Sequence, residues 1–377
     1  MRIVDISATP ISVPVKNGAT LAIGRAVKRD AVVVKVVTED GLTGYGESHH
    51  ARSPAVIAQI VNTTLKDIVL PARADDVIGI WQRIYQWQLR SHGMGAAVVM
   101  AMSGLDMALW DIRAKAAGWP LHVLLGAAAR PIRAYGGGVA LGWQAPETLV
   151  DEIAPLVEAG FQAVKLRVGD QPQRDIERVT AVRRAFGDKL TILVDANTGY
   201  ELEDIRLAMP AFEALGVAWL EEPFAPHDYD LYKRAAAFGR VPLAAGENHY
   251  TRFEFTRLIE DRALSVLQPD LSKAGGVSEV MRIAAMASGW KLPICPHSSM
   301  TGLNMAATIH LLMAVDNRGY FEADVSPVNP FRDQLTSKPY RLEPDGTVSI
   351  TDRPGIGLEV DEDFLRAHPF IPGRNFV

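Results

Sequence analysis

Apolar and polar positions alternate with a period of two along MRIVDISATPISVPV at the start of the chain, a pattern that predicts a strand. The same period returns in Val32 to Val37 and Leu42 to Glu47, and the turn Glu39-Asp40-Gly41 between them predicts a hairpin. An alanine-rich run from Ala96 to Ala117, closed by Gly118, predicts a helix. Strands followed by helices make residues 1–125 an α+β unit.

From Pro131 the character changes to short apolar runs separated by amphipathic segments. Leu149, Ile153, Leu156 and Val157 keep helical spacing before Gly160, and Ile176, Val179, Val182 and Phe186 do so before Gly187. Between such helices lie strand-like runs ending at Arg167, Asp195, Glu221, Glu247, Asp270, His297 and Glu322, about 25 residues apart. A βα repeat of that length predicts a TIM-type barrel over residues 126–325. The remainder, 326–377, carries the turn Pro344-Asp345-Gly346 and a β-like run from Gly355 to Val360, and is expected to pack back on the first unit.

Composition narrows the class. With 377 residues and 48% hydrophobic content the chain can bury a full core. A net charge of −5 from mixed signs argues against a nucleic-acid partner, which requires a clustered basic excess. A single cysteine, Cys295 in the apolar setting LPICPHS, excludes an intramolecular disulfide framework and reads as a core residue in a reducing compartment. No apolar run approaches the ~18 residues of a membrane span, and no secretory h-region opens the chain. These features predict a soluble cytoplasmic protein with no membrane partner.

The charged strand ends carry the candidate chemistry. In a barrel the C-terminal strand ends converge on one mouth, so these residues form its walls. Lys165 and Arg167 interrupt the apolar strand AVKLR two positions apart and therefore share a face, which requires anionic partners opposite. Asp195, Glu221 and Glu247 supply three carboxylates on consecutive strands, an all-oxygen set suited to a hard cation such as Mg²⁺. Three separate helix caps or a proton-sharing cluster are the alternatives. Glu222 precedes Pro223 and reads as a supporting carboxylate behind Glu221. Asp270 and His297 end adjacent strands, where a carboxylate can fix an imidazole tautomer and raise its basicity. Lys273 and Gly275-Gly276 precede a helix and form either an anion-binding N-terminus or a packing turn. The segment GGGVALGW lacks the spacing of a dinucleotide-binding loop.

Taken together, these residues give the chain a resemblance to the mandelate racemase subgroup of the enolase superfamily, spanning essentially its whole length. The resemblance implies an α+β cap, a modified (β/α)7β barrel and a C-terminal segment returning to the cap. It implies that Asp195, Glu221 and Glu247 bind Mg²⁺ and that Asp270 and His297 form the catalytic dyad. It further implies that Glu322 hydrogen-bonds the enediolate oxygen, and that Lys165 is the first lysine of a Lys-x-Lys motif. Cap segments Val15 to Arg29 and Glu47 to Ser53 resemble loops over the mouth, with Arg25, Lys28, His49 and His50 as polar candidates to meet an anionic, hydroxylated substrate. Asn197 and Lys273 join them as substrate-binding candidates, and a homo-oligomer between dimer and octamer is expected.

Arg167 departs from the racemase pattern, which has a second lysine there. A guanidinium stays protonated and is a poor base. The expectation is therefore one base, His297, abstracting the proton α to a carboxylate. Loss of a β-hydroxyl follows, dehydrating a sugar acid to a 2-keto-3-deoxy acid. Racemisation, epimerisation or cycloisomerisation through the same enediolate is the alternative, distinguished by whether water is lost. A non-catalytic sugar-acid binder is a third reading and predicts a broken constellation.

Overall fold

The computed structural model describes residues 1–377. Its cap opens with a three-stranded antiparallel sheet of β1 (Ile3–Pro14), β2 (Lys28–Thr38) and β3 (Thr43–Ser48), with β2 in the centre. The period of two explains its burial. Ala31 and Val33 face the barrel core, whereas Val32, Val34 and Val36 face the cap helices, so both sides of the central strand are covered. Helix α1 (Ala96–Ala117) packs on β3 and is terminated by Gly118 in the left-handed conformation, φ 71°. Its alanines and Gly104 permit close approach, since a Cβ on Gly104 would meet Ser48 Oγ at 2.4 Å.

The barrel staves are β4 (Ile132–Gly137), β5 (Ala163–Arg167), β6 (Thr191–Asp195), β7 (Leu220–Glu221), β8 (Leu243–Ala245), β9 (Val266–Leu267) and β10 (Phe321–Asp324). They pair in parallel from β4 to β9, and β10 closes on β4. The eighth stave position is Ile294, bridged to Leu267 on one side and to Arg318 on the other. Helices α2 (Pro146–Glu158), α3 (Pro172–Phe186), α4 (Leu202–Ala214), α5 (Tyr229–Ala235), α6 (Thr251–Asp261), α7 (Gly276–Gly289) and α8 (Gly302–Ala314) alternate with the staves. This is a (β/α)7β barrel under an α+β cap. No helix is long and apolar enough to cross a membrane.

Some boundaries differ from the sequence reading. Glu247, Asp270 and His297 lie in loops just beyond short staves, and Glu322 is the second residue of β10, which runs on to Asp324. Short staves suffice because helices cover them outside. The run Gly355 to Val360 forms no strand. It contributes single bridges, Gly355 to Pro120 and Val360 to Thr336. Farther on, Pro369 bridges Ile11 and Phe376 bridges Ala26. Cap and barrel are also tied by Arg29 of β2, buried against Asp324 at 3.1 Å.

Candidate functional site: the barrel mouth

Alternation along the staves builds the site in layers. Tyr135, Ala163, Leu193, Trp219, Ala244, Val266 and Cys295 point inward and form an apolar plug. Two residues farther along three of those staves stand Lys165, Asp195 and Glu221, so a charged layer rests directly on the plug. Lys165 Nζ lies 5.4 Å from the centre of the Tyr135 ring beneath it. Cys295 belongs to the plug, where burial pushes its thiol up to about 12.

The two cations found their partners. Lys165, fully buried, reaches Glu221 at 2.6 Å, Glu322 at 3.0 Å and Asp195 at 3.4 Å. Burial disfavours its charge, but these three carboxylates outweigh burial and hold it protonated. Arg167 pairs with Asp195, donates to the Gly138 carbonyl and meets Asn197 Oδ1 at 3.1 Å. The carboxylates divide accordingly. Burial raises Glu221 to about 7 against Lys165, while its Oε2 accepts from Gln268 at 2.7 Å and Trp219 at 3.2 Å. At Glu247 burial is outweighed by His297, Lys273 and Lys165, which hold it well below the usual carboxylate range.

Backbone strain gathers behind these ends. Asn197, Thr198 and Glu222 all have positive φ, 42°, 63° and 36°. Glu222 is buried with Oε1 unpartnered, and its Oε2 accepts from Asn248 at 2.8 Å. Gly246, at φ 146°, lets the chain turn toward Glu247, since a Cβ there would meet the Gln268 backbone at 2.7 Å.

His297 and Asp270 meet as the spacing predicts, with Nδ1 2.6 Å from Asp270 Oδ2. Asp270 Oδ1 accepts from Ser272 N–H and Oγ–H, each at 2.7 Å, and from Asn304 at 3.1 Å. The imidazole therefore carries its Nδ1 proton toward Asp270 and turns Nε2 to the cavity, 3.3 Å from Glu247. Burial alone would lower His297, but Glu247, Glu322 and Asp270 raise it to about 9.

Above this layer lies a cavity of about 420 Å³, a volume that suits a small polar acid. Arg167, Asn197, Glu247, Lys273, His297, His49 and His50 all reach its wall. His49 Nδ1 accepts from Ala51 N–H and His50 Nδ1 from Arg52 N–H. Each ring thus keeps its proton on Nε2, and burial holds both below the usual histidine range.

Several sequence-derived candidates stand elsewhere. Arg25 is exposed on a small hairpin, Thr20–Leu21 with Gly24–Arg25, and is not on the wall. Lys28 turns to Asp30 at 3.0 Å. Glu322 lies behind the wall, accepting from Lys165 at 3.0 Å, Gly138 N–H at 3.0 Å and Ser298 N–H at 3.2 Å. Burial raises it, but Lys165, His297 and Arg167 bring it down to about 2. The Gly275-Gly276 turn is a packing turn, with Gly275 N–H donating to Ser103 of the cap at 2.9 Å.

Sequence reasoning missed Arg52 and Phe376, which both line the cavity, the guanidinium 5.5 Å from the ring centre. Nothing local in the sequence signals Phe376. Its neighbours are held by backbone pairing, Arg25 N–H to Val377 O at 2.8 Å and Val27 N–H to Asn375 O at 2.8 Å. Asn248 could have been found, because it directly follows Glu247.

A capped barrel with a charge-paired mouth and a His–Asp dyad defines a class, and the chain belongs to it. Residues 4–126 match the mandelate racemase/muconate lactonizing enzyme N-terminal domain, and residues 148–364 match the enolase C-terminal domain-like family. The chain is 33% identical to arabinonate dehydratase of Saccharolobus solfataricus over 333 residues, 88% of each chain. It is 31% identical to D-galactarolactone cycloisomerase of Agrobacterium fabrum over 350 residues, 90% of this chain and 91% of the other. Among solved structures, an enolase superfamily member from Polaromonas sp. JS666 superposes with a TM-score of 0.98 at 48% identity, covering 100% of both chains. A racemase from Streptomyces coelicolor A3(2) with bound magnesium superposes at 0.89, with 28% identity, over 97% of this chain and 99% of that one.

Proposed function

We propose that this chain dehydrates a sugar acid to a 2-keto-3-deoxy acid. The observation that carries the reading is the asymmetry of the mouth. One side offers His297 Nε2, backed by Asp270 at 2.6 Å, and the other offers no free base: Lys165 is held protonated by three carboxylates, and the guanidinium of Arg167 is tied to Asp195 and Gly138. In this reading residues 1–125 cap the barrel of 126–325, and 326–377 returns to the cap.

The neutral form of His297, whose share grows as pH rises toward about 9, takes the α-proton at Nε2 while Asp270 holds Nδ1–H and stabilises the imidazolium. Lys165 and Arg167 place positive charge where the carboxylate gains its second negative charge. Glu322 keeps Lys165 protonated and aimed. His49 and His50, as neutral Nε2–H donors, meet substrate hydroxyls, joined by Asn197 and Lys273. The β-hydroxyl then leaves as water, taking the proton that His297 has accepted, and the resulting enol tautomerises to the 2-keto acid.

Mg²⁺ is part of the proposal. No three His, Cys, Asp or Glu side chains stand close enough to close around a metal ion as they are, and lysines and an arginine pair with the three carboxylates. The donor chemistry nevertheless fits. Asp195 and Glu221 are register partners on adjacent staves, every donor is an oxygen, and the buried Glu222 Oε1 beside them lacks a partner. Asp195, Glu221 and Glu247 would hold the ion in exchange for their present ion pairs. When bound, Mg²⁺ supplies Lewis-acid stabilisation of the developing negative charge.

The test is a panel of mono- and diacid sugars assayed for 2-keto acid and for α-deuterium exchange in D₂O. A keto acid from one of them, abolished by EDTA and restored by Mg²⁺, is the expected result. An isomeric product that keeps its water favours the cycloisomerase reading, to which the A. fabrum relative lends support. No turnover and no exchange across the panel sinks both. A homo-oligomer between dimer and octamer belongs to the same proposal, supported by the exposed Trp87 and Phe253 beside Tyr85, and light scattering reads it directly.

A further inference from the structure

Two carboxylates of the cap cross the seam to barrel helices that follow the catalytic loops. Asp106 on α1 accepts from Ser278 N–H at 2.9 Å in the first turn of α7. Glu47, near the end of β3, accepts from Thr301 N–H at 3.0 Å and Thr301 Oγ–H at 2.5 Å, and Thr301 is the N-cap of α8. Both side chains are buried, and each keeps one oxygen, Asp106 Oδ1 or Glu47 Oε1, without a partner. In both cases a helix start in the barrel is completed by an acceptor from the cap.

The two helices differ in what they carry. The first turn of α8 holds Asn304, whose Nδ2 donates to Asp270 Oδ1 at 3.1 Å, and Asp270 Oδ2 in turn holds His297. The first turn of α7 makes no hydrogen bond to the dyad side chains; its Ser278 Oγ accepts from Trp110 of the cap. Glu47 is therefore linked to His297 through Thr301, Asn304 and Asp270, whereas Asp106 is not.

We propose that Glu47 is a positioning residue for the general base: by fixing the first turn of α8 from the cap, it holds Asn304 against Asp270 and so aims His297. This rests on His297 being the base of the dehydratase reading. Burial raises the Glu47 carboxyl to about 8, Thr301 pulling it down and Asp270 pushing it up, so near pH 7 a neutral acceptor is what Thr301 meets. A glutamine reproduces that acceptor.

The experiment compares Glu47→Ala, Glu47→Gln and Asp106→Ala in the Mg²⁺-loaded protein. Glu47→Ala is expected to lower kcat roughly 10- to 100-fold with KM little changed, the scale of a small misplacement of a reacting group. Glu47→Gln should restore most of it. Asp106→Ala should lower the melting temperature comparably yet leave kcat near wild type. A readout free of turnover is the downfield proton resonance of His297 Nδ1–H bonded to Asp270. It should shift or broaden in Glu47→Ala and persist in the other two. Glu47→Asp, one methylene too short to reach Thr301, serves the same purpose should the alanine variant not fold. An unaltered resonance in the alanine or aspartate variant, or kcat losses that track melting temperature across the set, overturns the proposal. A wild type that turns over no sugar acid, with the resonance still responding to Glu47, removes the dehydratase reading and leaves the positioning role standing.

Discussion

Two buried histidines sit in opposite electrical worlds. His297, at the barrel mouth, is surrounded by Glu247, Asp270 and Glu322, and these carboxylates overcome burial and raise it to about 9. His310, on α8 at the seam with the cap, meets no carboxylate, and burial takes it down to about 3. Its Nδ1 accepts from His122 N–H at 3.1 Å and its Nε2 donates to Ile356 O at 3.2 Å, so a neutral ring satisfies every partner. At His297 the facing carboxylates outweigh burial, and that marks this histidine, unlike His310, as a candidate base.

Removing His297 is the strongest way to break that comparison. His297→Asn keeps the shape near Asp270 but offers no base, and turnover should fall by roughly 10²–10⁴-fold, α-proton exchange with it. NMR in D₂O checks this, and exchange that persists would make another residue the base and erase the contrast between the histidines. A smaller effect sharpens the picture of the opposite wall. Arg167→Lys keeps the charge but loses the planar fork, so dehydration should fall by less than the roughly 10²-fold that follows outright loss of a donor. The new amine should bring exchange on the opposite face of the substrate, seen with the C2 epimer. Wild-type exchange of both epimers at comparable rates would replace the one-base reading with an epimerase.

The smallest effect concerns stability at the seam. The folded pKa of His310 lies below the usual 6.5, so the unfolded chain binds more protons between those values. The contribution of His310 is complete above pH 6.5 and is lost as pH falls toward 3, about 1.4 kcal/mol per unit. Urea unfolding at pH 7 and pH 5 should differ by about 2 kcal/mol more in wild type than in His310→Gln. Equal differences would mean that the seam is not a neutral pocket.

Much of this was legible in the sequence, for a local reason. The βα repeat, the helix closed by Gly118 and the order of ionisable stave ends are all set by short-range periodicity and turn chemistry. The Asp270–His297 contact followed because both residues leave adjacent staves. What was not legible depends on tertiary approach. Whether Arg25 or Arg52 faces the cavity, and that Glu47 reaches Thr301, depend on how the cap settles over the barrel. Glu322 was placed at a stave end, but its ionisation is set by Lys165, two staves away in the closed barrel and far away in the chain. Phe376 was invisible because its position is inherited from backbone pairing with residues 24–27.

That last pairing also orders events during synthesis. A ribosome releases the hairpin at residues 20–25 first, yet the N–H groups of Arg25 and Val27 find their acceptors only in Val377 and Asn375. Between them every stave must be made and the barrel closed. A nascent chain emerging through β10 already contains the dyad and the charged layer, but one wall of its cavity is still missing. Contacts of such separation form late, so the charged layer of the mouth is assembled before Phe376 takes its place in the cavity wall.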